Sequence, residues 1–214
     1  MQKIGRCHGK FAAVTEQDVR RRPRGRPEAT SHAEIEQAAF ELFSEHGFER
    51  TTLDAIAERV GVGRRTLFRY YQSKNDIPWG QFDQTLAGFR ALMDSQPADL
   101  PLCDAVHRSV IEFNRFPADA SPSHRDRMRL ILATPELRAH SVHQYAAWRA
   151  AIAEYVARRT RQQPSDLTPR MVGQVSLALA LTAYDVWLED ESADLLTVLD
   201  QGMRALLSYL HPAT

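Results

Sequence analysis

Thr51-Thr52-Leu53-Asp54-Ala55-Ile56-Ala57-Glu58-Arg59-Val60-Gly61-Val62-Gly63-Arg64-Arg65-Thr66-Leu67-Phe68-Arg69-Tyr70-Tyr71 is the stretch on which the fold turns. Thr51 or Thr52 caps a short helix that carries Leu53, Ile56, Ala57 and Val60 on one face. Gly61-Val62-Gly63 breaks it, and Arg64–Tyr71 forms the next helix. Two helices that meet across a tight turn need a small residue at the contact and a glycine in the turn, and Ala57 and Gly61 supply them. Ile56, Val60, Val62 and Leu67 fill the buried positions around that contact. A hairpin that only packs internally would not need the outer face of the second helix, where Arg64, Arg65, Thr66, Phe68, Arg69 and Tyr70 crowd together and Lys74 follows. Arginine bonds bidentately to guanine edges in the major groove, while threonine, tyrosine and lysine suit phosphate. The pattern implies a helix-turn-helix over 52–71 that grips double-stranded DNA.

Upstream, Ile35, Ala38, Ala39, Leu42 and Phe43 recur at helical spacing from Ser31 to a stop at Gly47, and Ser31 with Glu34 forms a capping box. This helix, over 31–46, supports the hairpin. Downstream, Ser73 caps a longer helix running through Trp79, Phe82, Leu86, Phe89 and Leu92, with Asn75–Pro78 in its first turn. Further helices are predicted near 101–115, 122–133, 135–162, 169–190 and 194–210, with prolines at the breaks. No alternating Val/Ile-rich segment suggests a sheet. The expected architecture is all-α: a basic arm over 1–29, a three-helix DNA-binding domain over 30–76, and a larger helical bundle over 77–214.

The formal net charge is +0, which at first speaks against nucleic acid, but the distribution matters more than the sum. Residues 20–26 read Arg-Arg-Arg-Pro-Arg-Gly-Arg, and Arg64, Arg65, Arg69 and Lys74 form a second basic group. Two cysteines, Cys7 and Cys103, make neither a disulfide framework nor a CxxC metal pair. The longest apolar stretch, Val175–Leu188, is short of a membrane span and contains Asp185, and Phe11–Val14 is too brief for a signal peptide. A reducing, cytoplasmic setting without a membrane is expected.

The run Thr51–Ala57, Gly61-Val62, Thr66–Tyr71 and Ser73-Lys74 resembles the DNA-binding domain of the TetR family of one-component regulators. The resemblance implies that Thr66, Tyr70 and Lys74 touch phosphates and that Arg64, Arg65 and Arg69 approach bases, with Thr52 and Phe68 on the same face. Phe68 stands where the family usually carries tyrosine, and Tyr70 where histidine is common. A narrower resemblance, to the mycofactocin-system branch, rests on Gly63–Tyr71, Ser73–Gly80 and Phe82-Asp83, with Arg127-Met128, Pro135–Leu137 and Trp148-Arg149 consistent with it. It implies an acyl-coenzyme A thioester as effector.

Arg22-Pro23-Arg24-Gly25-Arg26-Pro27 resembles the core of an AT-hook. Arg24 and Arg26 are candidates to enter a narrow A·T minor groove, whose negative potential favours such a segment. A basic leader that adds only non-specific charge explains the same residues.

In the bundle, Val172, Val175, Leu179 and Val186 mark an apolar stripe, and Leu199, Met203, Leu206 and Leu210 mark another on the last helix. Helices apolar over so much of their surface bury more than one face. The family resemblance implies a homodimer built on these two helices, which suits a pseudopalindromic operator whose half-sites lie about one DNA turn, ~34 Å, apart. An effector pocket between bundle helices has Phe113, Phe116, Met128, Leu132 and Tyr145 as candidate liners, with Trp148, Ile152, Tyr184 and Trp187. Plain core packing is the more ordinary explanation for each of these. Arg125, Arg127 and Arg129 are candidates to meet an anion, with solvent exposure the ordinary alternative. The implied effector is small, hydrophobic or an acyl thioester, and the implied outcome is repression relieved by ligand.

No enzymatic constellation emerges. His140 and His143 share a helix face but lack a third metal ligand. Cys103 and His107 read as a buried thiol beside a surface histidine rather than a nucleophile and base. There is no phosphate loop or dinucleotide fingerprint. Neither a catalytic residue nor a cofactor is expected. An architectural DNA binder without an effector is the remaining alternative.

Overall fold

A computed structural model describes residues 30–117 and 119–210. Ser31 starts the first helix with the reciprocal bonding that its sequence predicts. The Glu34 N–H donates to Ser31 Oγ at 3.2 Å, and the Glu34 carboxylate accepts from the Ser31 N–H at 2.8 Å. Helix α1 (His32–His46) then presents Ile35, Ala39, Leu42 and Phe43 inward and stops at Gly47, whose φ of 82° suits only glycine. The hairpin follows as α2 (Leu53–Arg59) and α3 (Arg64–Leu67), with Gly61 turning between them at φ 70°.

Two local expectations are corrected here. The helix predicted over 64–71 keeps α-helical geometry only to Leu67. Tyr70 and Tyr71 both donate their N–H to the Leu67 carbonyl, because each side chain is tethered back to the first helix region: Tyr70 Oη to the Thr30 carbonyl and Tyr71 Oη to Glu36, both at 2.6 Å. The long helix expected from Ser73 is also interrupted. Ser73 and Asp76 cap a 3-10 segment (Lys74–Trp79) containing Pro78, and Gly80 breaks the path at φ 58° before α4 (Phe82–Asp94) begins.

The remaining helices follow the proline punctuation closely: α5 (Leu102–Phe113), α6 (His124–Ala133), α7 (Pro135–Thr160), α8 (Leu167–Glu189) and α9 (Leu195–Leu210). Among the described residues every regular element is helical, as expected. Two apolar cores result. The smaller joins α1, α2 and α3 through Ile35, Phe43, Ile56 and Leu67, and it also takes in Ile77 and Leu137 from beyond the boundary expected at 76. The larger is centred on Phe89, Met93, Trp148, Ile152 and Val156. Truncating a fully buried residue such as Ile152 to alanine costs about 2–5 kcal/mol in such a core.

The crossing of α7 with α8 depends on Gly173: a Cβ there would lie 2.7 Å from the Arg149 carbonyl oxygen. At 23 residues, α8 is longer than the apolar run Val175–Leu188 and is, by length and composition, able to cross a membrane. In this fold it lies between α7 and α9 and buries Leu177, Ala180, Tyr184 and Trp187.

Candidate functional site

The hairpin presents one exposed basic face. Thr52 caps α2, its Oγ1 accepting from the Ala55 N–H at 3.2 Å, and thereby orients the helix start toward that face. Arg64, Arg65, Phe68 and Arg69 are exposed, and Thr66 and Tyr70 are half-buried. Arg64 donates to Asp54 at 2.9 Å and lies over the Phe68 ring, which holds its guanidinium beside α2. Arg65 and Arg69 have no ion-pair partner among the described residues. Lys74 is oriented differently: its Nζ donates to the Phe48 carbonyl at 2.7 Å and sits 4.3 Å from the Phe48 ring centre. The expected Arg24 and Arg26 lie outside the described residues. Thr30, the first described residue, is pinned beside α3 by the Tyr70 hydroxyl.

Behind this head, a cavity of about 370 Å³ opens among α1, the 3-10 segment and α4–α8. Its volume falls within the range of small-molecule sites, ~300–1,000 Å³. Of the expected liners, Phe113, Phe116, Met128, Tyr145, Trp148 and Tyr184 border it. Leu132, Ile152 and Trp187 do not: Ile152 is sealed in the core, Leu132 packs against it, and Trp187 serves as the platform on which Arg125 stacks. Glu36, Trp79, Asn114, His124 and Gln144 also line it, without having been expected from the sequence. Trp79 was hidden by the unbroken helix drawn through Gly80. Glu36 adjoins the apolar stripe of α1, and no local signal ties it to residues ninety positions away.

Of the three arginines for which solvent exposure is the ordinary expectation, Arg129 is exposed and pairs at the surface, whereas Arg125 and Arg127 are engaged with partners from other elements. Arg125 donates to the carbonyls of Trp187 and Ala193, and Arg129 to Glu191. Arg127, on the cavity wall, donates to Glu36 at 2.6 Å and to the Pro78 carbonyl at 2.7 Å. Glu36 also accepts from Tyr71, and burial with this carboxylate holds the Tyr71 phenol well above its ordinary pKa. His124 is held neutral, its pKa pushed down to about 3 by burial and by Arg127, and its Nε2 bonds Tyr184, which donates to Asn114.

On the outer surface, Val175 and Val186 of α8 are exposed, Leu179, Met203 and Leu206 are half-buried, and Leu210 is exposed with Leu207 beside it. Two residues of the expected stripe turn inward instead: Leu199 is buried and Val172 packs on the intrachain core. His140 pairs with Asp76 at 3.0 Å, and no group of three metal-ligating side chains occurs among the described residues. Cys103 is exposed rather than buried, while the half-buried His107 bonds Asp200 at 3.0 Å and not the thiol.

Residues 35–77 match the model of bacterial regulatory proteins of the tetR family, and residues 100–211, more than half of the chain, match the MftR C-terminal domain. The chain belongs to the TetR family. Its C-terminal part is of the MftR type. This TetR-family regulator is 46% identical over 171 residues to a protein of Mycobacterium tuberculosis named for transcriptional regulation of mycofactocin biosynthesis, MftR, covering 80% of this chain and 86% of that one. It is 27% identical over 181 residues to the regulator TcmR of Streptomyces glaucescens, covering 81% and 80%. Thermus thermophilus FadR, a TetR-family repressor solved with lauroyl-CoA, superposes with a TM-score of 0.54 at 25% identity, covering 86% of this chain and 99% of that one. FadR of Bacillus halodurans shares the fold at a TM-score of 0.60 and 18% identity, covering 83% and 98%. The TetR-family chain is thus a transcriptional regulator rather than an enzyme, as its sequence implied.

Proposed function

We propose that this regulator binds a pseudopalindromic operator as a homodimer, represses from it, and is released by a small apolar effector of the acyl-thioester class. The observation that carries the reading is the pairing of an exposed arginine face on α3 with an apolar cavity directly behind the same head. In this reading Arg65 and Arg69 reach base edges, Arg64 acts beside Asp54, and Thr52 and Thr66 approach phosphates, while Tyr70 would have to release the Thr30 carbonyl to do so. Lys74 in this arrangement braces the turn between α1 and α2, and reaching a phosphate would require it to leave the Phe48 carbonyl. Arg24 and Arg26 would extend the footprint into the flanking minor groove.

The exposed apolar residues of α8 and α9 support pairing with a second copy, which sets two heads about one DNA turn apart. Repression and an acyl-CoA effector are supported by the likeness to Thermus thermophilus FadR. Such a regulator works beside the chromosome, in the cytoplasm. An effector favouring a head spacing that does not fit the operator shifts the population off DNA.

Footprinting on the DNA upstream of the chain's own coding region tests this reading. Two protected half-sites about one turn apart, lost on adding lauroyl-CoA, are expected. Uniform coating without half-sites would point to an architectural binder instead.

A further inference from the structure

The cavity has two charged side chains in its lining, Glu36 and Arg127, and they neutralise each other at 2.6 Å. His124 is uncharged and already bonded to Tyr184. A carboxylate, phosphate or ammonium carried inside would meet no uncommitted counter-charge, which disfavours its entry.

The same wall nevertheless has polar capacity. Trp79 Nε1, Gln144 Oε1 and Tyr145 Oη are each buried without a hydrogen-bond partner among the described residues. The Trp79 and Tyr145 rings meet edge to face at 5.6 Å, so the two sit together on one wall. Trp79 and Gln144 also border a neighbouring cleft, which Tyr145 does not. The Ser141 hydroxyl, one turn earlier on α7, donates to the Leu137 carbonyl at 2.6 Å, and its oxygen stands beside the Tyr145 phenol. An indole N–H only donates and a phenol readily donates, while a carbonyl oxygen accepts through two lone pairs.

We propose that Tyr145, with Trp79 beside it, recognises the carbonyl oxygen of an uncharged acyl group (a thioester, ester or ketone) whose hydrocarbon chain fills the apolar remainder of the cavity. The proposal rests on reading this cavity as the effector site. It makes the carbonyl, rather than a negative charge, the feature that admits a ligand. An acyl thioester would leave its anionic nucleotide outside, beyond the exposed Phe116 and Ser121 of the lining.

The test uses the full chain and three ten-carbon probes: decanoyl-CoA, methyl decanoate and decanoate. Binding is followed at pH 8 by calorimetry and by the fluorescence of Trp79 and Trp148. Decanoyl-CoA and methyl decanoate are expected to bind at least about tenfold more tightly than decanoate, in line with the loss on burying an unpaired charge. Tyr145→Phe is expected to weaken methyl decanoate about five- to tenfold. It removes an unpaired buried hydroxyl, so the free variant should melt no lower than the parent. Decanoate binding as tightly as its methyl ester overturns the proposal without any variant, and so does an unchanged affinity in Tyr145→Phe. Binding of none of the three overturns the acyl-effector reading and the proposal with it.

Discussion

Arg127 of α6 and Glu36 of α1 form an ion pair at 2.6 Å that stands at once in the wall of the cavity and at the foot of the DNA-binding head. Their side chains are only 19% and 13% exposed. Through Glu36 the contact continues to the Tyr71 hydroxyl, four residues beyond the end of α3. A second polar contact, from Ser121 to Gln37, ties α1 to the loop before α6. Any ligand that displaces α6 therefore pulls on α1 and on the segment that follows the recognition helix. Under the proposed function, that continuity is the route by which differential binding in the cavity would bias head spacing.

Removing Arg127 tests this connection. Arg127→Ala leaves the Glu36 carboxylate largely buried and bonded only through Tyr71, and a buried pair broken on one side costs about 3 kcal/mol. Urea unfolding should register that loss, and adding Glu36→Gln should recover part of it. In operator-binding assays the double variant should keep its DNA affinity while lauroyl-CoA loses most of its effect. Full ligand response in the double variant would place the coupling elsewhere.

The helix-turn-helix was legible because its signals are local: a capping threonine, a glycine turn and an apolar period, all within twenty residues. The exit from α3 was not. Whether Phe68–Tyr71 stays helical depends on Thr30 and Glu36, residues thirty-five to forty positions away, which no periodicity within the segment encodes. The cavity divides in the same way. Its aromatic liners were visible as bulky residues at helical spacing, but Ile152 and Tyr184 look alike on that criterion and only the crossing of α7 with α8 at Gly173 separates core from wall. For Arg125 and Arg127 the sequence leaves an anion and solvent both open, because their carbonyl and carboxylate partners come from distant helices.

Arg65 and Arg64 should respond differently to truncation. Arg65→Ala is expected to cost operator affinity about 1–3 kcal/mol while leaving non-specific binding nearly intact, as for a bidentate base contact. Arg64 is committed to Asp54 and Phe68, so Arg64→Ala should cost less. Competition with operator and with random duplex at fixed salt distinguishes them; equal losses on both duplexes for Arg65→Ala would assign it to phosphate.

His124 gives stability a pH dependence of definite sign. Its pKa is about 3 when folded, below the ~6.5 of an unfolded histidine. Between these values the unfolded chain binds more protons, so stability is fully present above about 6.5 and falls as the pH drops toward 3. The limiting slope is about 1.4 kcal/mol per pH unit. Urea midpoints measured from pH 7.5 to 5 should decline, and His124→Gln should flatten that decline.

Deleting residues 1–27 removes Arg24 and Arg26 while retaining Thr30, the carbonyl that Tyr70 holds beside α3. If the arm enters the minor groove, the truncated chain should lose operator affinity mainly where A·T pairs flank the half-sites. If it supplies only charge, the loss should be equal for all flanks and vanish at high salt. Titrations against two operators differing only in their flanks separate these outcomes.

The outer faces of α8 and α9 carry the last prediction. Val186 is 48% and Leu210 57% exposed, and a lone exposed aliphatic residue needs no explanation. Here Val175, Val186, Leu207 and Leu210 lie on two adjacent helices, a concentration that favours burial against a second copy. Charge placed there should act on assembly and not on folding, since none of the four belongs to the intrachain core. Val175→Glu with Leu207→Glu should therefore yield a helical, cooperatively melting monomer by light scattering, whereas Leu199→Glu, aimed into the core, should unfold the bundle. The monomer should also lose most of its operator affinity, because one head alone reads one half-site. A double variant that remains dimeric would move the interface to another face of the bundle.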